Sequence, residues 1–213
     1  MGQGVLFFIA YPSSHTCGNL WLSAHPLGLV AGLGRDSEGR TAEFNIAVLS
    51  IEYKWQIGSS YQIKYNDRLI SLDSLKSSIE EEGIRRIMEN PSEIISVGTA
   101  SCEGSPQQEE RRAFERAKQI QLLVKKLFRT LPSVQGYRLL NLGQFRRDSC
   151  QSNQDLTSYQ RSIIIIGVRK QTEGVILDEA LRERLEKKPF GDFKLEDYSL
   201  GGKEKFQTIP SQM

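Results

Sequence analysis

The stretch that most constrains this chain is Ser162-Ile163-Ile164-Ile165-Ile166-Gly167-Val168. Consecutive β-branched residues favour extended backbone. The run is apolar on both faces, so it belongs in the middle of a sheet. Other elements precede it at regular intervals. Tyr61-Gln62-Ile63-Lys64-Tyr65 alternates apolar and polar side chains, as a half-buried strand does, and Asn66-Asp67 supplies turn chemistry. Ser71 is an N-cap for a helix with apolar Leu72, Leu75 and Ile79, which Asn90-Pro91 stops after Ile84 and Ile87. Glu93-Ile94-Ile95-Ser96-Val97-Gly98 reads as a buried strand, followed by a loop through Pro106.

The clearest helix runs from about Gln107 to Phe128. Ala113, Ala117, Ile120, Val124 and Leu127 recur at spacings of four, three, four and three, which makes one apolar stripe. Leu131-Pro132 ends it. Tyr137-Arg138-Leu139-Leu140-Asn141-Leu142 is a further strand, and a polar loop from Gln144 to Ser158 leads to the isoleucine run. Leu177 to Leu185 makes a short charged helix, and the tail from Lys187 reads as polar and poorly ordered. The expected division is a region of open structure over 1–60, a domain over 61–170, and a helix with tail over 171–213.

The first sixty residues are less readable. Met1-Gly2-Gln3-Gly4 has no basic side chain and the apolar run Val5–Ala10 stops at Tyr11-Pro12, so the pattern of a secretory signal is not met. Leu27 to Leu33 is short and glycine-rich; both patches, broken by Pro12 and Pro26, fit strands, a poor signal or a mis-started reading frame, and no run approaches a bilayer span. Phe44 to Trp55 fits a strand or hairpin, with a membrane-proximal stub as the other reading, so membrane association stays open. Gly32-Leu33-Gly34 begins like a dinucleotide fingerprint but lacks the last glycine and a following amphipathic helix; it reads as a glycine-rich loop.

At 213 residues the chain suits one domain with an appendage. Its 28 basic and 26 acidic side chains nearly cancel, which is not the footprint of a nucleic-acid binder. Cys17, Cys102 and Cys150 show no C-x-x-C spacing, and His15 and His25 are the only imidazoles, so no metal and no cofactor is expected. Those histidines lie far from Ser101 and Cys102, and G-x-S-x-G is absent, so catalysis is not expected either.

Three segments, in order and at matching spacing, resemble the OmpA-like domain shared by OmpA, the Pal lipoproteins and MotB. Val97-Gly98-Thr99-Ala100-Ser101-Cys102-Glu103-Gly104 resembles the family's strand ending in G-H-T-D with a later glycine. Ala113-Phe114-Glu115-Arg116-Ala117 resembles S-x-x-R-A, and Gln160-Arg161-Ser162-Ile163-Ile164-Ile165 resembles the closing N-R-R-V-E-I strand. The resemblance covers about residues 61–170. It implies an α+β fold, a βαβαββ sandwich of a mixed sheet against two main helices. It also implies a non-catalytic binding module of the bacterial cell envelope, at the outer membrane or in the periplasm, whose partner is peptidoglycan.

In that family an aspartate and the helix arginine grip the amino-acid end of diaminopimelate in the peptide stem. A zwitterionic end group wants a carboxylate for its ammonium and a guanidinium for its carboxylate. The resemblance carries Arg116 over as the carboxylate partner and Arg161 as a second site charge, with Thr99, Ser101 and Glu103 completing the ligand-binding set. A solvated Arg116 paired with Glu109 or Glu110 is the other reading. Ser101 stands where the family has aspartate. A charged partner contributes about 1.5–3 kcal/mol against about 0.5–1.5 for a neutral one, so this change weakens a ligand roughly tenfold. Glu103 replaces the carboxylate if the loop bends back; otherwise it is an exposed loop acid. Cys102 and Cys150 fall at the same sheet end in this fold, where a disulfide would clamp the loop; two unpaired thiols are the alternative. The rival function is a diverged OmpA-like scaffold that has lost wall binding and works through protein–protein contacts, inside the cell if no signal precedes it. A thiol enzyme at Cys102 is a third reading.

Overall fold

The computed structural model describes residues 27–49, 53–81, 83–146, 150, 157–187, 190 and 193–211. Strands β1 (Leu27–Arg35) and β2 (Thr41–Leu49) form an antiparallel hairpin. Its turn is fixed by Asp36, whose Oδ1 accepts from the amides of Glu38 and Arg40 at 3.0 and 2.9 Å. Strands β3 (Tyr53–Trp55), β4 (Ile63–Tyr65) and β5 (Arg68–Ile70) make a small antiparallel sheet of their own. Asn66 and Asp67 join β4 to β5 with φ of 44° and 63°, the double left-handed pair of a tight hairpin.

Helix α1 (Leu72–Glu81) begins where Ser71 Oγ accepts the amide of Ser74 at 3.1 Å. The one-turn helix α2 (Ile84–Ile87) leads to β6 (Glu93–Ala100). Helix α3 (Pro106–Phe128) crosses over to β7 (Gly136–Gln144), which lies parallel to β6, as a strand pair joined by a long crossover can. A short 3-10 turn, Ser158–Arg161, enters β8 (Ile164–Gln171). Helix α4 (Leu177–Glu186) and β9 (Thr208–Ser211) follow.

The main sheet runs β1–β2–β8–β6–β7–β9. The isoleucine run is central, with β2 on one side and β6 on the other. Its alternation feeds two cores. Ile163 and Ile165 pack under α1, α2 and α3 with Leu75, Ile79, Ile120 and Val124. Ile164 and Ile166 face α4, with Ala180, Leu181, Phe193 and Tyr198. All four isoleucines are buried, which is why the run is apolar on both sides. In chain order β2, α1, β6, α3, β7 and β8 give the βαβαββ succession that the resemblance implied, around a mixed sheet, so the fold is α+β.

Four local expectations change. Gly32-Leu33-Gly34 is strand, not loop, because α4 lies on it: a Cβ at Gly34 would fall inside the Ala180 carbonyl. Tyr61–Tyr65 supplies β4 of the small sheet, and the first βαβ strand is β2 instead. The tail is not loose throughout, since Phe193, Leu195, Tyr198 and Phe206 are buried and β9 pairs with β7. The charged helix expected over Leu177–Leu185 forms as α4, but it packs on β1 and β2 and so covers the sheet face that a sandwich with two main helices leaves open. Residues on both sides of position 60 therefore share one sheet, as do β8 and β9 around position 170. His15, Cys17 and the run Val5–Ala10 lie outside the described residues.

Candidate functional site

The β6–α3 loop is tied down from three directions. Gln144, at the end of β7, donates from Nε2 to the carbonyls of Cys102 and Gly104 at 3.2 and 2.8 Å. Gln160 accepts the Cys102 amide on Oε1 at 3.2 Å. Cys102 and Cys150 are joined in a disulfide with 5.7 Å between their Cα atoms. Cys102 is thereby removed as a free nucleophile, and the thiol-enzyme reading goes with it. Ser101 is buried at the start of this loop, 3% exposed.

Arg116 and Arg161 are each 1% exposed. The stripe of α3 that meets β6 and β7 carries Arg116 inward beside Ala113 and Ala117, so it is not a solvated helix arginine. Glu109 pairs with Arg112 instead, and Glu110 accepts from Ser199 Oγ at 2.6 Å. Arg116 Nη1 donates to the carbonyl of Thr99 at 2.9 Å. Its Nη2 donates to Gln56 and Ser59 carbonyls at 3.0 and 2.8 Å, and its Nε to Ser59 again at 3.0 Å. Arg161 Nη1 donates to the carbonyl of Trp55 at 2.5 Å. The guanidinium of Arg116 also sits 5.5 Å from the Trp55 ring centroid.

Two arginines from distant parts of the chain thus converge on one short stretch, Arg161 on Trp55 at the end of β3 and Arg116 on the turn Gln56–Ser59 that follows it. Burial pulls the Arg116 guanidinium down from its ordinary value to about 9, with Glu109 acting the other way and the nearby charges of Arg112 and Arg161 adding to the fall. It remains a cation at neutral pH. Thr99 is fully buried and its Oγ1 donates to the Ser162 carbonyl at 3.4 Å. Glu103 bends back into the cluster: its Oε1 accepts from Thr157 Oγ1 at 2.7 Å, and its charge acts on Arg116. Its Oε2 is buried and, among the described residues, has no hydrogen-bond donor; the same holds for Trp55 Nε1–H as a donor without an acceptor.

The arrangement gathers two guanidinium groups bonded to neutral carbonyls and, among the described residues, one unsatisfied carboxylate oxygen and one unsatisfied indole N–H. That is the complement of a group carrying both an ammonium and a carboxylate. Among the described residues no cluster of His, Cys, Asp and Glu is placed to hold a metal, and no helix is long and apolar enough to cross a membrane. Gln160 opens the segment matched to the closing strand, but nothing in it points to a clamp on the Cys102 amide. Gln144 and the carbonyls of Gln56 and Ser59 carry no motif and escape a reading of the sequence.

No protein-family model matches the chain, and no curated protein does. Among solved structures it is similar to the OmpA-like domain of FopA1 from Francisella tularensis subsp. tularensis SCHU S4. The identity there is 12%, over 68% of this chain and 82% of that one, with a TM-score of 0.29. It is also similar to the periplasmic domain of MotB, at 11% identity over 86% of this chain and 88% of that one, with a TM-score of 0.39.

Proposed function

We propose that this chain is a non-catalytic binding module of the bacterial cell envelope that takes the diaminopimelate end of the peptidoglycan stem peptide between Arg116, Arg161 and Glu103. The observation that carries the reading is Glu103. Its carboxylate lies in the cluster with one buried oxygen left without a donor among the described residues. It can therefore take the part that Ser101, a hydroxyl in place of the family's aspartate, leaves vacant. A ligand ammonium would satisfy Oε2, and the ligand carboxylate would replace backbone carbonyls on the guanidinium groups. An ionised acceptor makes a stronger partner for arginine than a neutral carbonyl does.

The test is co-sedimentation of the full chain with purified peptidoglycan sacculi, beside Glu103→Gln. The variant keeps an acceptor for Thr157 and removes the charge. The wild type is expected to pellet, with Glu103→Gln binding roughly tenfold more weakly. A wild type that stays in solution at every sacculus concentration sinks the wall reading.

A second reading has its own observation. The hydrogen bonds of Arg116 already go to Gln56, Ser59 and Thr99, as in a purely structural clamp. On that reading the chain is a diverged OmpA-like scaffold acting through protein contacts, and it predicts no pelleting and no effect of Glu103→Gln.

A further inference from the structure

We infer that the turn Gln56–Ser59 is a built-in gate: it occupies the Arg116 guanidinium with its own carbonyl oxygens and must swing aside before an anionic ligand can take that place. The inference rests on the wall-binding reading above.

The turn is a self-contained unit. The Ser59 amide donates back to the Gln56 carbonyl at 3.1 Å, with Gly58 between them at φ +73°. The Gln56 amide donates to the Gln62 carbonyl at 2.9 Å, and Ser59 Oγ accepts the amides of Tyr61 and Gln62. On either side the chain is anchored, because Trp55 and Ile63 are fully buried in the core under α1 and α3. Between these anchors Gly58 is exposed and Gln56, Ile57 and Ser59 are only half-buried. The tip can therefore move while its two ends stay fixed.

What holds the tip down is a set of neutral oxygens facing cations. The carbonyls of Gln56 and Ser59 meet Arg116, while Arg161 meets the carbonyl of Trp55 at the fixed end. Each carbonyl carries only a partial charge, so a carboxylate reaching the Arg116 guanidinium forms the stronger bonds and competes the tip away. Release costs the tip little else: its own amides return to water at an exposed turn. Among the described residues, the unpartnered Oε2 of Glu103 and the unpartnered Nε1 of Trp55 mark a neighbourhood that its present occupant satisfies incompletely.

Gly58 provides the handle. A Cβ built there meets nothing within 4 Å and Gly58 is exposed, so a substitution acts chiefly through the left-handed backbone. A β-branched residue disfavours that conformation by a factor of about ten. Gly58→Val therefore raises the open fraction, and apparent affinity rises in proportion to that fraction.

The experiment measures half-saturation on sacculi for the wild type and Gly58→Val, each first shown to be folded by far-UV circular dichroism and a cooperative thermal melt. In parallel, amide hydrogen exchange of the wild type is followed with and without soluble peptidoglycan fragments released from the same sacculi. The expected result is binding about tenfold tighter for Gly58→Val, together with loss of protection at the Gln56 and Ser59 amides when fragments bind to the wild type. Equal half-saturation of a folded Gly58→Val, or protection at those amides that the fragments leave unchanged, overturns the gate while the wall reading stands. If neither protein pellets, the wall reading fails and the gate falls with it.

Discussion

Arg116 gives two hydrogen bonds to a single oxygen, the carbonyl of Ser59, from Nε at 3.0 Å and from Nη2 at 2.8 Å. Fifty-seven residues separate the two in sequence. The fork of the guanidinium thus pins the β3–β4 connection onto α3, and it pins the end of β6 as well through the Thr99 carbonyl. Removing it by Arg116→Ala strands those carbonyls and leaves a space the size of the side chain. The expected loss is about 3–5 kcal/mol, because hydrogen bonds to a charged group contribute about 1.5–3 kcal/mol each and the contacts are not additive. For a chain of this length that lowers the melting temperature by roughly 10 °C. Arg116→Lys, which keeps the charge and loses the fork, should fall between. A melting temperature unchanged in Arg116→Ala would show that the clamp contributes nothing.

Helix α3 approaches β6 so closely that Gly98 has no room for a side chain. A Cβ there would overlap the Ala113 carbonyl oxygen and lie 2.8 Å from its carbon and 2.9 Å from the Ala117 amide. These are backbone atoms, so relief requires lifting the helix from the sheet. Gly98→Ala is expected to cost about 3 kcal/mol, at the upper end of overpacking effects. Gly202→Ala, where a Cβ meets nothing within 4 Å, serves as the control and should be close to neutral. Urea denaturation of both variants checks the contrast.

The parts of this fold that a sequence reader can see are those where one periodicity governs many residues. The isoleucine run and the stripe from Ala113 to Leu127 each repeat a single spacing, and each sits where that spacing puts it. Strand β1, where a strand is only one of the readings of Leu27 to Leu33, stays ambiguous in the sequence for the opposite reason. Its glycines read as loop chemistry, yet Gly32 and Gly34 point to one face at period two because Arg184 and the Ala180 carbonyl of α4 press on it. The tail hid its aromatics among charges, since Phe193, Tyr198 and Phe206 follow no period and reach the core one at a time. In the site, motif matching brought out Arg116 and Arg161, but nothing local says that a turn sixty residues upstream of Arg116 will meet them. Backbone carbonyls carry no sequence signature at all.

The Cys102–Cys150 disulfide ties the β6–α3 loop to the segment after β7 across a separation of 48 residues. On the chain-entropy account, closing a loop of that size in the unfolded state contributes about 4 kcal/mol. The pair Cys102→Ser with Cys150→Ser, or the wild type under a strong thiol reductant, should unfold at correspondingly lower denaturant concentration. The loop itself is expected to stay near its place in the folded form, since Gln144 still holds the carbonyls of Cys102 and Gly104 and Gln160 still holds the Cys102 amide. Identical denaturation midpoints with and without reductant would count against a formed bridge.

Acid sensitivity should centre on Asp36. Burial opposes its charge, but hydrogen bonds from the Ile176 amide and from the side chain and amide of Arg40 prevail and bring its pKa down to about 2. Through Oδ2 at 2.9 Å it holds the amide at the entry to α4, and through Oδ1 it shapes the β1–β2 turn. A carboxylate whose folded pKa lies below its unfolded value stabilises the fold above the unfolded value, here 3.8, and that contribution disappears as pH falls towards 2. Melting temperature should therefore drop between about pH 4 and pH 2 in the wild type. Asp36→Asn should melt lower at neutral pH and show a shallower acid slope, the remainder coming from groups such as Glu179, which the Ser37 hydroxyl and amide hold below its usual range. Thermal melts of the two proteins across that window decide the matter: parallel curves would mean that Asp36 carries no charge-dependent share of the stability of α4 on the sheet.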